Sequence, residues 1–194
     1  MVLQGAVRVA EDEVILAHLM SERRPLVTSK FATQDLRNKQ QNRIRKELLI
    51  ETRGGIYQVL WTTAGRIDWY KGTIDSFTFE KLKIVPSSDW VEISRGTLNL
   101  SDAGKRFNAP DDPIFKRYPH HLEAVYKYEK NLQEIEIALI LISTDFNGDF
   151  TIIDGVHRSV AAYLRYFVRS TKSSTMHFAA FLGVCENPTI WHAP

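Results

Sequence analysis

Cysteine is almost absent from this chain, which carries a single Cys185 among its 194 residues. One thiol excludes an internal disulfide, and a protein without disulfides suits a reducing cytoplasm, which is the predicted compartment. Long apolar runs are missing too, because the longest, Ile137–Ile142, is far shorter than the ~18 residues of a membrane span. The first 20 residues carry an acidic cluster at Glu11–Glu13 and no apolar signal-peptide core. We therefore expect no membrane partner.

Two common signatures of nucleotide-binding and nucleic-acid-binding proteins are also missing. The chain holds no Gly-x-x-x-x-Gly-Lys-Ser/Thr motif, which excludes a P-loop enzyme. It has no Gly/Arg repeat, and its net charge is only +2. Residues 22–53 nevertheless carry nine Lys or Arg residues against four Asp or Glu residues. This basic segment is either a solvated helix face or a surface that binds nucleic acid, and both interpretations stay open.

The composition is that of a folded protein, with 44% hydrophobic and 11% aromatic residues. In the first 86 residues, apolar residues at helical spacing predict two helices, near Val14–Met20 and from about Thr33 to Glu51. The period then changes to two, which predicts strands at Ile56–Thr63, Arg66–Tyr70 and, with a bulge, Phe77–Ile84. Residues 1–86 are therefore interpreted as helices followed by an antiparallel β-meander over 55–86.

Residues 87–194 are interpreted as a second unit, or as the continuation of one merged domain, joined at Pro86–Asp89. The aliphatic run Ile137–Ile142 predicts a strand covered on both faces, and a turn then leads to an antiparallel strand at Phe150–Ile153. The other predicted elements are a strand at Trp90–Ile93, a loop over 96–106, a helix at Pro119–Gln133 and a strand at Phe178–Val184. The predicted fold class is α+β.

The most informative stretch is Phe150–Phe167, in which a short apolar run breaks at Asp154-Gly155 and a helical period follows. One face of that helix carries Val160, Leu164 and Phe167. A strand, a glycine turn and a helix direct backbone N–H groups and the positive end of the helix dipole at an anion. The helix begins with side chains that suit phosphate oxygens, those of His157, Arg158 and Ser159. The alternative interpretation is an ordinary glycine turn followed by a solvated arginine.

The segment Asp154-Gly-Val-His-Arg158, followed by Ser-Val-Ala-Ala, resembles the Gly-x-His-Arg plus Ala-Ala signature of the ParB/sulfiredoxin-like superfamily. The resemblance covers roughly residues 90–185. It implies a ParB/sulfiredoxin-like α+β domain with a helical and antiparallel-β N-terminal extension, and a turn and helix that bind the phosphates of a nucleotide. Val156 stands where sulfiredoxins carry their catalytic cysteine, so a sulfiredoxin-type reductase is not expected.

Applied to this chain, the resemblance implies that Gly155 lets the backbone approach the phosphates, which His157, Arg158 and Ser159 contact. Arg158 is expected to be the main charge clamp, with its own charge largely uncompensated before a ligand binds. His157 suits a phosphate donor or a general acid, because the pKa of an unperturbed histidine is near neutrality. Asp154 is a Mg²⁺ ligand, a residue that orients His157, or only a turn residue. The implied cofactor is a nucleoside triphosphate with Mg²⁺.

The sequence is compatible with three functions. The first is nucleotide binding, with phosphoryl transfer or nucleotide hydrolysis that uses His157 and Asp154 as catalytic residues. The second is a ParB-like nuclease or another DNA-associated protein that uses the basic segment 22–53, and the third is a non-catalytic interaction module. A metal pair at His120-His121 is rejected, because adjacent residues of a helix diverge and no third ligand lies nearby in the sequence. Cys185, outside the motif, is predicted to have no chemical role.

Overall fold

The computed structural model of the chain describes residues 1–21, 47, 50, 66–132, 138–170 and 176–186. Three predicted features lie outside these residues: most of the helix from Thr33 to Glu51, the strand Ile56–Thr63 with its following turn, and most of the basic segment 22–53. Glu47 and Ile50 are described, and both are helical.

The described residues form seven α-helices and six β-strands. In the N-terminal part these are β1 (Gln4–Val9), α1 (Glu11–Ser21), β2 (Ile67–Asp75), α2 (Ser76–Glu80) and β3 (Lys83–Ile84). Four helices follow: α3 (Ser88–Ile93), α4 (Leu100–Arg106), α5 (Ile114–Arg117) and α6 (Pro119–Lys130). The last elements are β4 (Ala138–Ser143), β5 (Thr151–Asp154), α7 (Val156–Tyr163), which continues as a π-helical segment (Leu164–Val168), and β6 (His177–Cys185).

The six strands form one mixed sheet in the order β1-β2-β6-β4-β5-β3. Strands β4 and β5 are adjacent and antiparallel, as predicted, with Leu141 opposite Ile152. Strand β6 runs parallel to β4 and antiparallel to β2, and β3 runs parallel to β5. Strands β1, β2 and β3 come from the first 86 residues, and the three strands between β2 and β3 come from the rest of the chain. Both parts of the sequence therefore contribute strands to one mixed sheet, and the fold of the described residues is α+β.

The predicted meander over 55–86 is wrong where the structure describes it. Strand β2 lies between β1 and β6, and β3 pairs with β5 at the far edge of the sheet. The segment from Phe77 to Glu80 is not a strand but part of α2, because the Asp75 carboxylate accepts a hydrogen bond from the Thr78 N–H at 2.8 Å and caps the helix. Phe79 is fully buried and Phe77 is 64% exposed. Residues two positions apart share a face in a strand but lie on opposite sides of a helix, so this difference in burial fits the helix.

Two further predictions between residues 90 and 106 are wrong. Trp90–Ile93 belongs to helix α3, whose two buried residues, Trp90 and Ile93, are three positions apart. The predicted loop over 96–106 contains helix α4. Gly104 on α4 lies so close to α7 that a Cβ atom there would be 2.4 Å from Cδ1 of Tyr163. Helix α4 thus packs directly on the helix that follows the motif.

The other predicted elements that the structure describes are confirmed, namely α1, β2, α6, α7 and β6. Helix α7 and its π-helical extension bury Val160 and Leu164, and the ring of Phe167 stacks on Tyr163 at 5.0 Å between centroids. These contacts anchor the motif helix in the core. In the part of the chain that the structure describes, no helix has both the length and the apolar character to cross a membrane.

Candidate functional site

The motif forms a strand, a tight turn and a helix, as the sequence predicted. Strand β5 ends at Asp154, and α7 begins at Val156. Gly155 between them has φ +92°, a conformation that side-chain-bearing residues rarely adopt. A Cβ atom at this position would also lie 3.2 Å from Cδ2 of Leu139 and 3.3 Å from Nη2 of Arg158. The turn therefore needs glycine both for its backbone angle and for the arginine that lies over it.

The charge of Arg158 is compensated, contrary to the prediction. Its Nη2 donates to Oδ2 of Asp154 at 2.8 Å, and the two side chains are 11% and 4% exposed. The spacing of four residues across the turn brings the guanidinium back onto the last residue of β5. Nε2 of His18, from α1, lies 3.8 Å from the other carboxylate oxygen of Asp154. These described contacts make Asp154 the buried anchor of Arg158.

Ser159, a predicted phosphate contact, lies in the interior. It is fully buried, and its hydroxyl donates to the carbonyl of Gly155 at 2.9 Å. The backbone N–H of Ser159 donates to the same carbonyl at 2.8 Å. The hydroxyl proton is thus used within the first turn of α7, and its surroundings give a phosphate role no support.

His157 belongs to a hydrogen-bonded chain that the sequence did not reveal. Its Nε2 lies 2.7 Å from Nδ1 of His121, on α6, and Nε2 of His121 lies 2.6 Å from Oδ2 of Asp89, on α3. We call Asp89, His121 and His157 the histidine relay. His121 is 3% exposed, whereas His157 is partly exposed at the start of α7. The relay therefore runs from the surface at α3, through a buried imidazole, to the motif.

Trp90 supports both histidine rings of the relay. Its ring centroid lies 4.5 Å from that of His121 and 5.3 Å from that of His157. Trp90 is itself 5% exposed, because α3 buries it against the core. The large flat ring keeps the two imidazoles in place and keeps water away from one side of them.

The protonation of the relay follows from its surroundings. Burial lowers the pKa of His121 below its ordinary value of 6.5, although the hydrogen bond and the charge of Asp89 oppose this shift. Burial raises the pKa of Asp89, but hydrogen bonds from Ser87, His121 and the Trp90 N–H outweigh it and hold that pKa below 3.8. The carboxylate only accepts, so neutral His121 donates from Nε2 and accepts at Nδ1 from Nε2–H of His157. The basic nitrogen of a neutral His157 is then Nδ1.

The structure differs from the two premises on which the His120-His121 metal pair was rejected. The two rings do not diverge, because at the first turn of α6 their centroids are 4.2 Å apart. Asp89, a residue distant in the sequence, supplies a third donor, and one donor atom from each of the three residues lies within 4.8 Å of the others. Among the described residues, Asp89, His120 and His121 are the group of His, Cys, Asp and Glu side chains whose donor atoms lie close enough together to hold a metal ion.

Arg106 and Cys185 lie away from this chemistry. Arg106, on α4, forms a two-bond ion pair with Asp112 at 2.8 and 3.0 Å and donates to the carbonyl of Glu92. It therefore has a structural role between α3, α4 and the following loop. Cys185 is 2% exposed at the end of β6, opposite Ile67 of β2.

Sequence reasoning missed Asp89, His121 and His18 as residues of this site. The sequence pattern places Asp89 in a joint between two units and leaves His121 as half of an unsupported metal pair. Two signals in the sequence point to these residues: the Asp89-Trp90 pair at a helix start, and two adjacent histidines directly after Pro119, which opens α6.

Comparisons with protein-family models, with curated proteins and with solved structures gave no match to this chain.

Proposed function

We propose that this protein binds a nucleotide at the N-terminus of α7 and uses His157 to transfer a proton to or from it. The observation that carries this proposal is the histidine relay, which ends at the second residue of α7, beside Arg158. A histidine held by a second histidine and a carboxylate has a fixed ring orientation and a defined tautomer. Such preorganisation is typical of groups that act on a reacting atom.

The start of α7 supplies the anion-binding half of the proposed site. The first N–H groups of a helix point outward along its axis and carry the positive end of the dipole. Arg158 adds a guanidinium, and among the described residues its one hydrogen bond joins Nη2 to Asp154. A guanidinium has five N–H donors, and this bond uses one of them. The bond fixes the orientation of the planar group, and its other N–H groups can donate to a ligand. An anchored arginine at a helix N-terminus favours a phosphate group as the ligand.

The relay supplies the acid–base half. When His157 takes up a proton at Nδ1, His121 accepts from its Nε2–H and the carboxylate of Asp89 lies at the end of the chain. The positive charge on His157 is thereby stabilised by groups that are already in place before any ligand arrives. His157 can then donate this proton to the leaving phosphate oxygen of the nucleotide, which is general acid catalysis. In nucleotide hydrolysis a water oxygen forms the new bond to phosphorus while the P–O bond to this oxygen breaks, and in phosphoryl transfer an acceptor hydroxyl takes the place of the water.

A nucleotide, rather than free phosphate, is proposed because the motif turn resembles the one that holds nucleotide phosphates in the ParB/sulfiredoxin-like superfamily. The resemblance depends on Gly155, His157 and Arg158, the three motif residues whose surroundings in the structure suit a phosphate. A P-loop mechanism is excluded by the sequence, so the phosphates would be held by the turn and by Arg158.

The first experiment is a thermal-shift screen with ATP, ADP, CTP, GTP and inorganic phosphate, each with and without Mg²⁺. We expect at least one nucleotide to raise the melting temperature, and the matching nucleoside without phosphates to have no effect. His157→Gln should keep the shift and abolish any release of phosphate, since it removes the proton donor but not Arg158. If no phosphate compound stabilises the protein at millimolar concentration, the proposal is wrong. Salt-sensitive DNA binding without nucleotide binding would favour the DNA-associated alternative instead.

A further inference from the structure

We propose that Asp89, His120 and His121 form a binding site for one divalent metal ion of the zinc class. One donor atom from each residue lies within 4.8 Å of the other two. Two ligands that bind a common zinc ion tetrahedrally at about 2.0–2.1 Å are roughly 3.4 Å apart. The widest donor pair must therefore close, and Nε2 of His121 and Oδ2 of Asp89, which are 2.6 Å apart, must open. His120 is exposed, and its ring can move without disturbing the core.

The chemistry of the donors selects the type of ion. Two imidazole nitrogens and one carboxylate oxygen suit Zn²⁺ and its transition-metal neighbours, whereas Mg²⁺ and Ca²⁺ prefer sites made of oxygen atoms. Three protein ligands leave a coordination position open, as in catalytic zinc sites. The Asp89 side chain is 26% exposed and His120 is exposed, so the open position faces solvent.

The ligands have the supporting contacts that metal sites need. The second oxygen of Asp89 accepts from the Ser87 hydroxyl and from the Trp90 N–H, which fixes the carboxylate. The second ring nitrogen of His121 is held by His157 at 2.7 Å, and the ring is 3% exposed. Such outer contacts orient ligands before the metal arrives and raise its affinity. Nε2 of His121 and Oδ2 of Asp89 are 2.6 Å apart and share a hydrogen bond. If both atoms bind a metal, Nε2 of His121 can no longer carry the proton of this bond.

Loss of the proton from Nε2 of His121 exchanges donor and acceptor in the hydrogen bond between His121 and His157. When Nε2 of His121 binds a metal, this neutral ring carries its proton on Nδ1 and donates it to Nε2 of His157. A neutral His157 then carries its own proton on Nδ1. Each ring keeps one proton, so the number of bound protons does not change. The metal site goes beyond the proposed nucleotide function and does not depend on it.

The test is zinc binding to the full-length protein after removal of metals with a chelator. We expect one zinc ion per chain by elemental analysis after dialysis, and tight binding in a competition titration with a chromophoric chelator. His120→Ala removes an exposed ligand and should lower zinc affinity by at least about 100-fold. Asp89→Asn should act in the same direction. His177→Ala, which removes an exposed imidazole outside the group, is the matched control and should bind zinc like the parent.

Circular dichroism of each variant shows whether the fold is kept, and His120→Ala is expected to keep it because the side chain is exposed. Stoichiometric binding that is lost in His120→Ala and kept in His177→Ala supports the site. Less than stoichiometric zinc on the parent protein, or equal affinity of the parent and His120→Ala, would overturn it. Phosphate binding by the metal-free protein is measured separately, so a failure of the zinc site is distinguishable from a failure of the nucleotide site.

Discussion

Nε2 of His157 lies 2.7 Å from Nδ1 of His121, a residue 36 positions earlier in the chain. This contact joins helix α6 to the first turn of α7 and places a buried imidazole behind the motif. Asp89 completes the connection from a third helix. The motif turn is therefore not an isolated helix start but the end of a hydrogen-bonded chain, and its behaviour should depend on residues far away in the sequence.

The first prediction concerns the pH dependence of stability in buffer that contains a metal chelator. The pKa of His121 is lower in the folded protein than its ordinary value of 6.5, so below that pH the unfolded chain binds more protons. The free energy of unfolding should therefore fall as the pH drops from about 6.5 toward the folded-state pKa. His121→Gln should make this decline shallower, as measured by urea unfolding between pH 5 and pH 7.5. An unchanged slope would show that His121 is not held neutral by burial.

The second prediction concerns Gly155. Its φ of +92° should make Gly155→Ala less stable than the parent by about 1–2 kcal/mol, and contacts with Leu139 and Arg158 at 3.2 and 3.3 Å should add to that cost. Gly96→Ala is the matched control, because Gly96 has φ +85° but no atom within 4 Å of an added Cβ. Chemical unfolding measures both losses. We expect Gly155→Ala alone to weaken nucleotide binding, so equal binding losses in the two variants would contradict the role of the turn.

The third prediction concerns the packing of α4 on α7. Gly104→Ala places a Cβ 2.4 Å from the buried ring of Tyr163, so the two helices must move apart. The cost of such overpacking is typically about 1–3 kcal/mol, more than the gain in helix propensity of roughly 1 kcal/mol. Lys105→Ala, at an exposed position of the same helix, should change stability by no more than about 0.5 kcal/mol. Melting temperatures of the two variants check this difference, and a stable Gly104→Ala would contradict the close helix contact.

The strand, turn and helix of the motif could be predicted from the sequence because their signals are local. The run Phe150–Ile153, the Asp154-Gly155 break and the spacing of Val160 and Leu164 lie within 15 consecutive residues. Short elements were harder to assign. Trp90 and Ile93 fit a strand by composition, yet they are one helical turn apart, and a single turn offers too few residues to separate the two periods.

The relay and the compensation of Arg158 could not be predicted, because they depend on tertiary contacts. Asp89 and His121 are 32 positions apart, and no local pattern indicates that α3 and α6 bring them together. Asp154 was considered as a Mg²⁺ ligand, but its pairing with Arg158 depends on how the chain returns across the turn. The helix dipole alone suggested an uncompensated arginine, and the buried carboxylate at the end of β5 changes that balance.

The measurement that tests the central claim most directly is calorimetric binding of ATP with Mg²⁺, and of inorganic phosphate, to Arg158→Lys. Lysine keeps a positive charge near the buried Asp154, so the fold should survive, whereas Arg158→Ala would remove the partner of that carboxylate and destabilise the protein. A lysine cannot reproduce the planar fork, so we predict about ten-fold weaker binding than the parent. Arg169→Lys, at a surface pair with Glu129, is the control and should bind like the parent. If Arg158→Lys binds both probes as tightly as the parent protein, Arg158 does not hold the phosphate and the proposed site is wrong.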